Sequence, residues 1–195
     1  MSDRNILEIR NGSIGYNNVI LNNISIQLTS DQRLAIKGKN GSGKTTLIKA
    51  IMSDDQVSVY GEWIIPQKND IGYLDQFYKN FKGLTPFDEI KYNMPNARDS
   101  EIREHLNNYL FRSNNQVHAD IQTLSGGERA RLSMAAIASR SFKLLILDEP
   151  TNNIDMETVG HLIDVLNNYT GSLVVISHDN NFLQQIGVES GYLLD

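Results

Sequence analysis

Between an apolar run, Leu34-Ala35-Ile36, and a segment carrying Leu47, Ile48 and Ile51 at helical spacing lies Gly38-Lys39-Asn40-Gly41-Ser42-Gly43-Lys44-Thr45-Thr46. The stretch satisfies the phosphate-binding pattern G-x-x-x-x-G-K-[ST]. Its glycines let successive backbone N–H groups turn inward around an anion that a Cβ would obstruct. Lys44 adds a mobile positive charge at the outer phosphates, and the Thr45 hydroxyl is placed to hold Mg²⁺. A glycine-rich turn that carries a lysine by coincidence needs neither a strand before it nor a helix after it. Here both are expected, over Leu34–Ile36 and Lys44–Met52, so a nucleotide phosphate site is the premise for the rest of the chain.

The size of the chain, 195 residues, suits one domain with a substantial core. No apolar stretch approaches the ~20 residues that span a bilayer, and the segment Met1 to Asn5 lacks the apolar centre of a signal peptide, so no direct membrane insertion is expected. With no cysteine there is neither a disulfide nor a thiolate metal site, which fits a reducing compartment. A net charge of -5 argues against nucleic-acid binding by bulk electrostatics.

Ile6–Ile9 and Val19–Leu28 have the β-branched pattern of strands, with Asn11-Gly12 and Asn17-Asn18 as turn signals. Tyr16 falls in the loop between them. It is either a surface tyrosine or an aromatic placed upstream of the phosphate loop to stack on adenine. Val57–Ile65 and Asp70–Leu74 are expected as strands around turns at Gly61 and Pro66. Gln76 follows directly, where its amide would be solvated or would meet a metal or a water.

Thr85–Met94 and Ser100–Phe111 are expected as helices; Pro95 stops the first, and Ile102, Leu106 and Leu110 form an apolar stripe on the second. Leu124-Ser125-Gly126-Gly127-Glu128 opens another helix. Ser125 and Glu128 have capping-box spacing, which suits an ordinary helix start. Equally, two glycines at a helix N-terminus leave N–H groups open to an anion, so a second phosphate-binding element stands as an alternative.

Lys143–Leu147 reads as a buried parallel strand running into Asp148-Glu149-Pro150. Two adjacent acids at the ligand edge of an α/β sheet are hard to explain by packing. The first can reach Mg²⁺ through water, and the second can polarise an attacking water. Met156–Asn168 follows as an amphipathic helix with Val159, Leu162, Ile163 and Leu166 on one face, then Leu173–Ile176 as a buried strand ending in Ser177-His178-Asp179. His178 is structural or contacts a γ-phosphate. Gly191–Asp195 is expected as a last strand, and no linker separates two independent domains.

Taken in this order, the phosphate loop, Gln76, Leu124–Glu128, Leu144–Glu149 and His178 resemble the ATP-binding cassette (ABC) family over nearly the whole chain. The resemblance implies an α/β fold of the P-loop NTPase type: a mainly parallel sheet core, an antiparallel β subdomain and a small helical subdomain over about 77–125, all within one ATP-binding domain at 1–195. Mapped by motif, Tyr16 is similar to the adenine-stacking aromatic, and Gly38, Asn40, Gly41, Ser42, Gly43, Lys44, Thr45 and Thr46 resemble the Walker A loop. Gln76 is similar to the Q-loop ligand of Mg²⁺ and water, and Ser125, Gly126, Gly127 and Glu128 to the signature. Asp148 resembles the Walker B aspartate, Glu149 the general base, Asp155 the D-loop aspartate and His178 the switch histidine.

Thr45, Gln76 and Asp148 are thereby the expected metal residues, with ATP and Mg²⁺ as cofactors. The resemblance also implies a shared site, in which ATP lies between the Walker A loop of one cassette and the signature of another. Within the family, Gly72–Gln76, Glu149–Asn152 and Ser177–Leu183 look like the ABC-F branch, whose members are soluble paired cassettes acting on ribosomes. The interval from Gln76 to Leu124 is 124 − 76 = 48 positions, short as in that branch.

Three departures stand out: Asn153-Ile154 for a usual His-Leu, Asn180 for a usual Arg, and one cassette where two are usual. The expected partner is accordingly a second cassette, either another copy or the other half of a longer protein, with the ribosome as target in the cytoplasm. The alternatives are a nucleotide-binding subunit for a transmembrane transporter partner and a non-hydrolysing dimerisation module.

Overall fold

The computed structural model describes residues 5–194; Asp195, expected at the end of the last strand, lies outside them. Strands β1 (Asn5–Gly15), β2 (Val19–Thr29) and β3 (Arg33–Gly38) lead into α1 (Lys44–Ile51). After β4 (Ser58–Ile64) and β5 (Ile71–Leu74) come α2 (Pro86–Asn93), α3 (Asp99–Asn108), α4 (Asn114–Val117) and α5 (Gly126–Ala138). β6 (Leu144–Asp148), α6 (Met156–Asn167), β7 (Ser172–Ile176), α7 (Asn180–Gln185) and β8 (Ser190–Leu194) follow. The chain divides into two compact units, one built from the segments up to Tyr73, Phe142–Glu149 and from Thr170 onward, the other from Leu74–Ser141 and Pro150–Tyr169.

The first unit contains the sheets. One is five-stranded in the order β5-β6-β7-β3-β8, with β3 parallel to both β7 and β8, and β6 parallel to β7. Leu144–Leu147 and the whole of β7 are buried, as their nearly unbroken apolar sequence requires of strands covered on both faces. Leu47, Ile48 and Ile51 of α1 pack into the same core as Ile36, Ile146 and Val174. Burial of each such side chain contributes about 1.5–3 kcal/mol before the entropy of ordering is subtracted.

The other sheet is three-stranded and antiparallel, in the order β2-β1-β4. Here the expected turns at Asn11-Gly12 and Gly61 are corrected. Asn17-Asn18 does lie in the bend between β1 and β2, but Asn11 and Gly12 stay inside β1. The pairing steps from Arg10↔Glu62 to Ser13↔Tyr60, so these two residues face Gly61 alone. That is a β-bulge, with Asn11 at φ 49° and Gly61 at φ 93°. A Cβ at residue 61 would come 2.6 Å from the carbonyl oxygen of Asn11, so only glycine fits opposite the bulge.

The second unit is helical, and it extends beyond the 77–125 interval to take in α5 and α6. Its core gathers Ile90 of α2, Ile102 and Leu106 of α3, Phe111, and Leu132 and Ala135 of α5. Thr85 and Asp88 form a capping box at the start of α2 with Pro86 in its first turn. Helix α3 ends at Asn108, short of the expected Phe111, because Leu110 turns left-handed at φ 69°. The reversal lets the Phe111 N–H bond the Leu106 carbonyl at 3.1 Å and drops the phenyl ring into the core, so Leu110 does not continue the apolar stripe. Two short helices, α4 and α7, are additions to the sequence reading; a Ser113–Gln116 capping box starts the first, and Asp179 caps the second.

Candidate active site

Parallel strands present their C-terminal ends at one edge of a sheet, and ligands of α/β folds bind at that edge. Ile36 of β3 and Asp148 of β6 are both in register with Ile176 of β7, which lies between them. The loop after β3, the two acids at the end of β6 and the histidine after β7 therefore leave the sheet from a single row.

The loop from Gly38 to Gly43 is built around backbone. Gly43 precedes α1 in a left-handed conformation at φ 91°, and a Cβ there would approach the Leu21 side chain to 2.8 Å. No side chain caps α1, so its first N–H groups are open to an outside acceptor. Lys44 folds back over the loop, where Nζ donates to the carbonyl oxygens of Gly38 at 2.7 Å and Lys39 at 2.9 Å. The Ser42 N–H bonds the Lys39 carbonyl at 3.1 Å, while Ser42 Oγ is buried without a hydrogen-bond partner. A cavity of about 630 Å³ opens beside Gly38, Lys39, Asn40, Gly41 and Ser42. Thr46 is buried, and Thr45 faces outward. Tyr16 is 41% exposed, and the Lys49 ammonium lies 6.0 Å from its ring centroid.

At the ends of the next two strands the polar contacts are specific. Tyr73 of β5 donates its phenolic hydrogen to Asp148 Oδ2 at 3.3 Å. Glu149 adopts φ 47°, an unusual conformation for a non-glycine residue, and its N–H bonds the Ile176 carbonyl at 2.8 Å. Its side chain is only 15% exposed, with Oε1 3.4 Å from Nε2 of His178, whose side chain is 64% exposed. Ser177 is buried and accepts the Asp179 N–H at 3.1 Å, which fixes the backbone on the far side of His178.

Gln76, the signature and Asp155 lie in the helical unit. Gln76 is partly buried in a loop that the Asp75 carboxylate organises: Oδ1 accepts the Phe77 N–H at 2.8 Å, and Oδ2 those of Lys79 and Asn80 at 2.9 and 3.0 Å. Tyr78, 2% exposed and left-handed at φ 52°, donates its hydroxyl to the Pro150 carbonyl. Burial, followed by the nearby Asp75 carboxylate, pushes that phenol well above its usual range.

At the start of α5, Ser125 Oγ accepts the Glu128 N–H at 3.3 Å, and Glu128 Oε2 accepts from the Ser125 N–H at 2.8 Å and its hydroxyl at 2.7 Å. These bonds, with Arg131 nearby, hold the Glu128 carboxyl below the usual carboxylate range. Nothing crowds Gly126 or Gly127: the nearest atom to a Cβ would be 3.8 Å away at the first and 3.7 Å at the second. Asp155 caps α6 by accepting the Thr158 N–H at 2.8 Å, and this bond lowers its pKa.

Sequence reasoning missed Tyr73, Asp75, Tyr78 and Glu89. Glu89 is buried and accepts the N–H groups of Lys82 and Gly83 at 2.6 and 2.8 Å. Asp75, a carboxylate followed by a loop, carries a local signal; Tyr73 and Tyr78 bond partners 75 and 72 positions away, and Glu89 reaches back across an irregular loop that has no pattern of its own.

The family described as ABC transporter matches residues 21–152. The chain is 34% identical over 192 residues to the putative ATP-binding protein YdiF of Bacillus subtilis, covering 95% of this chain and 29% of that one. It is 35% identical over 176 residues to the ATP-binding protein Uup of Buchnera aphidicola, covering 86% and 29%. The chain thus spans less than a third of the length of these relatives. Among solved structures, CbiO1 of Clostridium perfringens, part of the ABC transporter complex CbiONQ, superposes with a TM-score of 0.75 at 21% identity, covering all of this chain and 86% of that one. That likeness is one of fold. With the family match spanning the phosphate loop, the signature and the paired acids, the chain belongs to the ABC transporter family of ATP-binding cassettes and resembles a single cassette of the ABC-F branch.

Proposed function

We propose that residues 1–195 act as one ABC-type domain that binds ATP with Mg²⁺ and hydrolyses it to ADP and phosphate. The observation that carries this reading is the single sheet edge at which β3, β6 and β7 deliver the Lys44 loop, Asp148 with Glu149, and His178. The loop suits a nucleotide triphosphate: Ser42 Oγ is buried without a partner, α1 has no side-chain cap, and Lys44 is held by neutral carbonyls rather than by an acid. The donor chemistry also suits Mg²⁺. Among the described residues no group of three or more His, Cys, Asp or Glu forms a metal cage. Mg²⁺ is commonly held by one or two protein oxygens together with phosphates and water, a share that Thr45 and Asp148 of the first unit can provide.

In this mechanism Lys44 exchanges its carbonyl partners for phosphate oxygens, and the open N–H groups of the loop and of α1 share the anionic charge. Tyr16 supplies a face for adenine. Glu149 accepts a proton from the attacking water; its left-handed backbone and the bond to Ile176 hold the carboxylate at the strand end, 3.4 Å from His178. When bound, Mg²⁺ neutralises charge on the phosphate oxygens. The site is completed by Ser125, Gly126, Gly127 and Glu128 of a second cassette, whose pre-formed capping box presents a helix start without a lysine of its own.

The target proposed for the pair is the ribosome, in the cytoplasm, on the strength of the ABC-F resemblance. Among the described residues no helix is long and apolar enough to cross a membrane. Sedimentation of a Glu149→Gln variant tests pairing: ATP should convert it to a dimer, or to a stable complex with its other cassette, and a species unchanged by ATP would refute the shared site. The same variant should pellet with ribosomes under ATP. A transporter subunit is the second reading, favoured by the likeness of fold to CbiO1, which is part of an ABC transporter complex. It predicts capture of a transmembrane partner from membranes in place of the ribosomal pellet.

A further inference from the structure

We infer that Lys49 is a positioning residue for the base of the nucleotide, holding the Tyr16 ring from one face so that the other is presented to adenine. The inference rests on the reading of Tyr16 as the stacking aromatic and adds a residue to it. The bend that carries Tyr16 is fixed at the backbone: its N–H bonds the Asn18 carbonyl at 3.2 Å, and a Cβ at Gly15 would come 2.0 Å from the same oxygen. The ring is not fixed in this way, because Tyr16 is 41% exposed and the terminal torsion of a tyrosine is broad. What lies against the ring is the Lys49 ammonium, 6.0 Å from its centroid, at the outer limit for attraction between a cation and an aromatic face.

A second observation is where Lys49 comes from. It lies on α1 between Ile48 and Ala50, each 2% exposed, so its backbone is held by the core of the first unit. The same helix starts at Lys44, five residues back and about 7.5 Å away along the axis. One rigid element thus carries the lysine proposed for the phosphates at its start and the partner of the ring over a turn later, which ties the place of the base to the place of the phosphates. Asp54 and Asp55 line the same cavity as Lys49, yet among the described residues its ammonium is in no salt bridge. A cation over one face leaves the opposite face for the base, and a ring ordered before binding does not have to be ordered by the ligand.

The test compares ATP with inorganic tripolyphosphate, which has the phosphates and no base, by isothermal titration calorimetry. Ordering the ring in advance cannot return more than the contact that orders it. Lys49→Met, which keeps the apolar stem and removes the charge, is therefore expected to weaken ATP binding about 2- to 5-fold, with tripolyphosphate affinity at its wild-type value. Unchanged ATP affinity would overturn the inference, as would an equal loss with both ligands, which would mean that the charge acts on phosphate. Lys49 also lies in the last turn of α1, where a cation favours the helix end. If that were its whole role, Lys49→Met would lower the melting temperature and leave the ratio of the two affinities as in wild type, and this result too would overturn the inference.

Tyr16→Ala separates this role from the stacking on which it rests. If it leaves ATP affinity at the wild-type value, the reading of Tyr16 itself fails. If it weakens ATP binding while Lys49→Met does not, only the role of Lys49 fails. In the Tyr16→Ala background the Lys49→Met change should have no further effect on ATP, and an additive loss would show that Lys49 acts through something other than Tyr16.

Discussion

Lys44→Ala is the most direct probe of the phosphate site, and its size follows from what the ammonium does in the free protein. Nζ donates to the carbonyls of Gly38 and Lys39, at 2.7 and 2.9 Å. A charge-assisted hydrogen bond to a phosphate is worth roughly 1.5–3 kcal/mol. Against this, the ammonium gives up at least one carbonyl on binding, at a site open enough for water to replace it, which offsets about 0.5 kcal/mol at the upper end. The net loss on substitution is then about 1.5–2.5 kcal/mol, or about 10- to 60-fold in Kd for ATP.

Calorimetric titration with ATP at fixed Mg²⁺ measures this directly, and a thermal melt without nucleotide supplies the control. Loss of the two loop bonds should cost the free protein about 1 kcal/mol, or about 2–4 °C for a chain of this size. An ATP affinity within twofold of wild type would refute the assignment of Lys44. A large fall in melting temperature with a parallel loss of binding would mean that the lysine holds the loop together and does not contact phosphate.

Three further outcomes are expected. Ser125→Ala removes the hydroxyl half of a capping box, leaving the Ser125 N–H bond to Glu128 in place, and should cost about 0.5–2 kcal/mol by urea denaturation; in a Glu149→Gln background it should leave ATP binding by one subunit intact and abolish ATP-dependent pairing. Tyr78→Phe strips the Pro150 carbonyl of a buried donor and should cost about 1–3 kcal/mol in the same assay, so a loss below about 0.5 kcal/mol would show that the bond carries little. Glu128 has a folded pKa below its ordinary 4.5, so its contribution is complete above that value and lost as pH falls through the lower folded pKa. The acid limb of the stability curve should therefore flatten below about pH 4.5 in Glu128→Gln, and an unchanged limb would refute the coupling.

Where a function is carried by neighbours in sequence, it is legible in the order of residues. The loop proposed for phosphate needs its glycines and lysine at fixed spacing because one turn of backbone would wrap one anion, and the Ser125–Glu128 capping box closes within a single helical turn. The apolar runs Leu144–Leu147 and Leu173–Ile176 announce strands buried on both faces, and both are. Asn11-Gly12 and Gly61 mislead for the complementary reason. In one strand they look like turns, and only pairing β1 with β4 shows that the extra residues of one strand are accommodated by a glycine in the other. Leu110 keeps the helical period and still leaves the helix, because Phe111 gains a place in the core when the chain reverses.

The amino-acid order alone thus determined the glycine loop, the paired acids and the capped helix start, since each is a local arrangement whose partners lie within a few residues. Tertiary structure decided the rest. Only the parallel order of β6, β7 and β3 brings residues 38–44, 148–149 and 178 to one sheet edge. Only the lateral neighbourhood of β5 and β6 sets a phenol on Asp148, 75 positions away in the chain. Contacts at such separations depend on which strands become neighbours, a choice made by the burial of the whole core and not by any one segment.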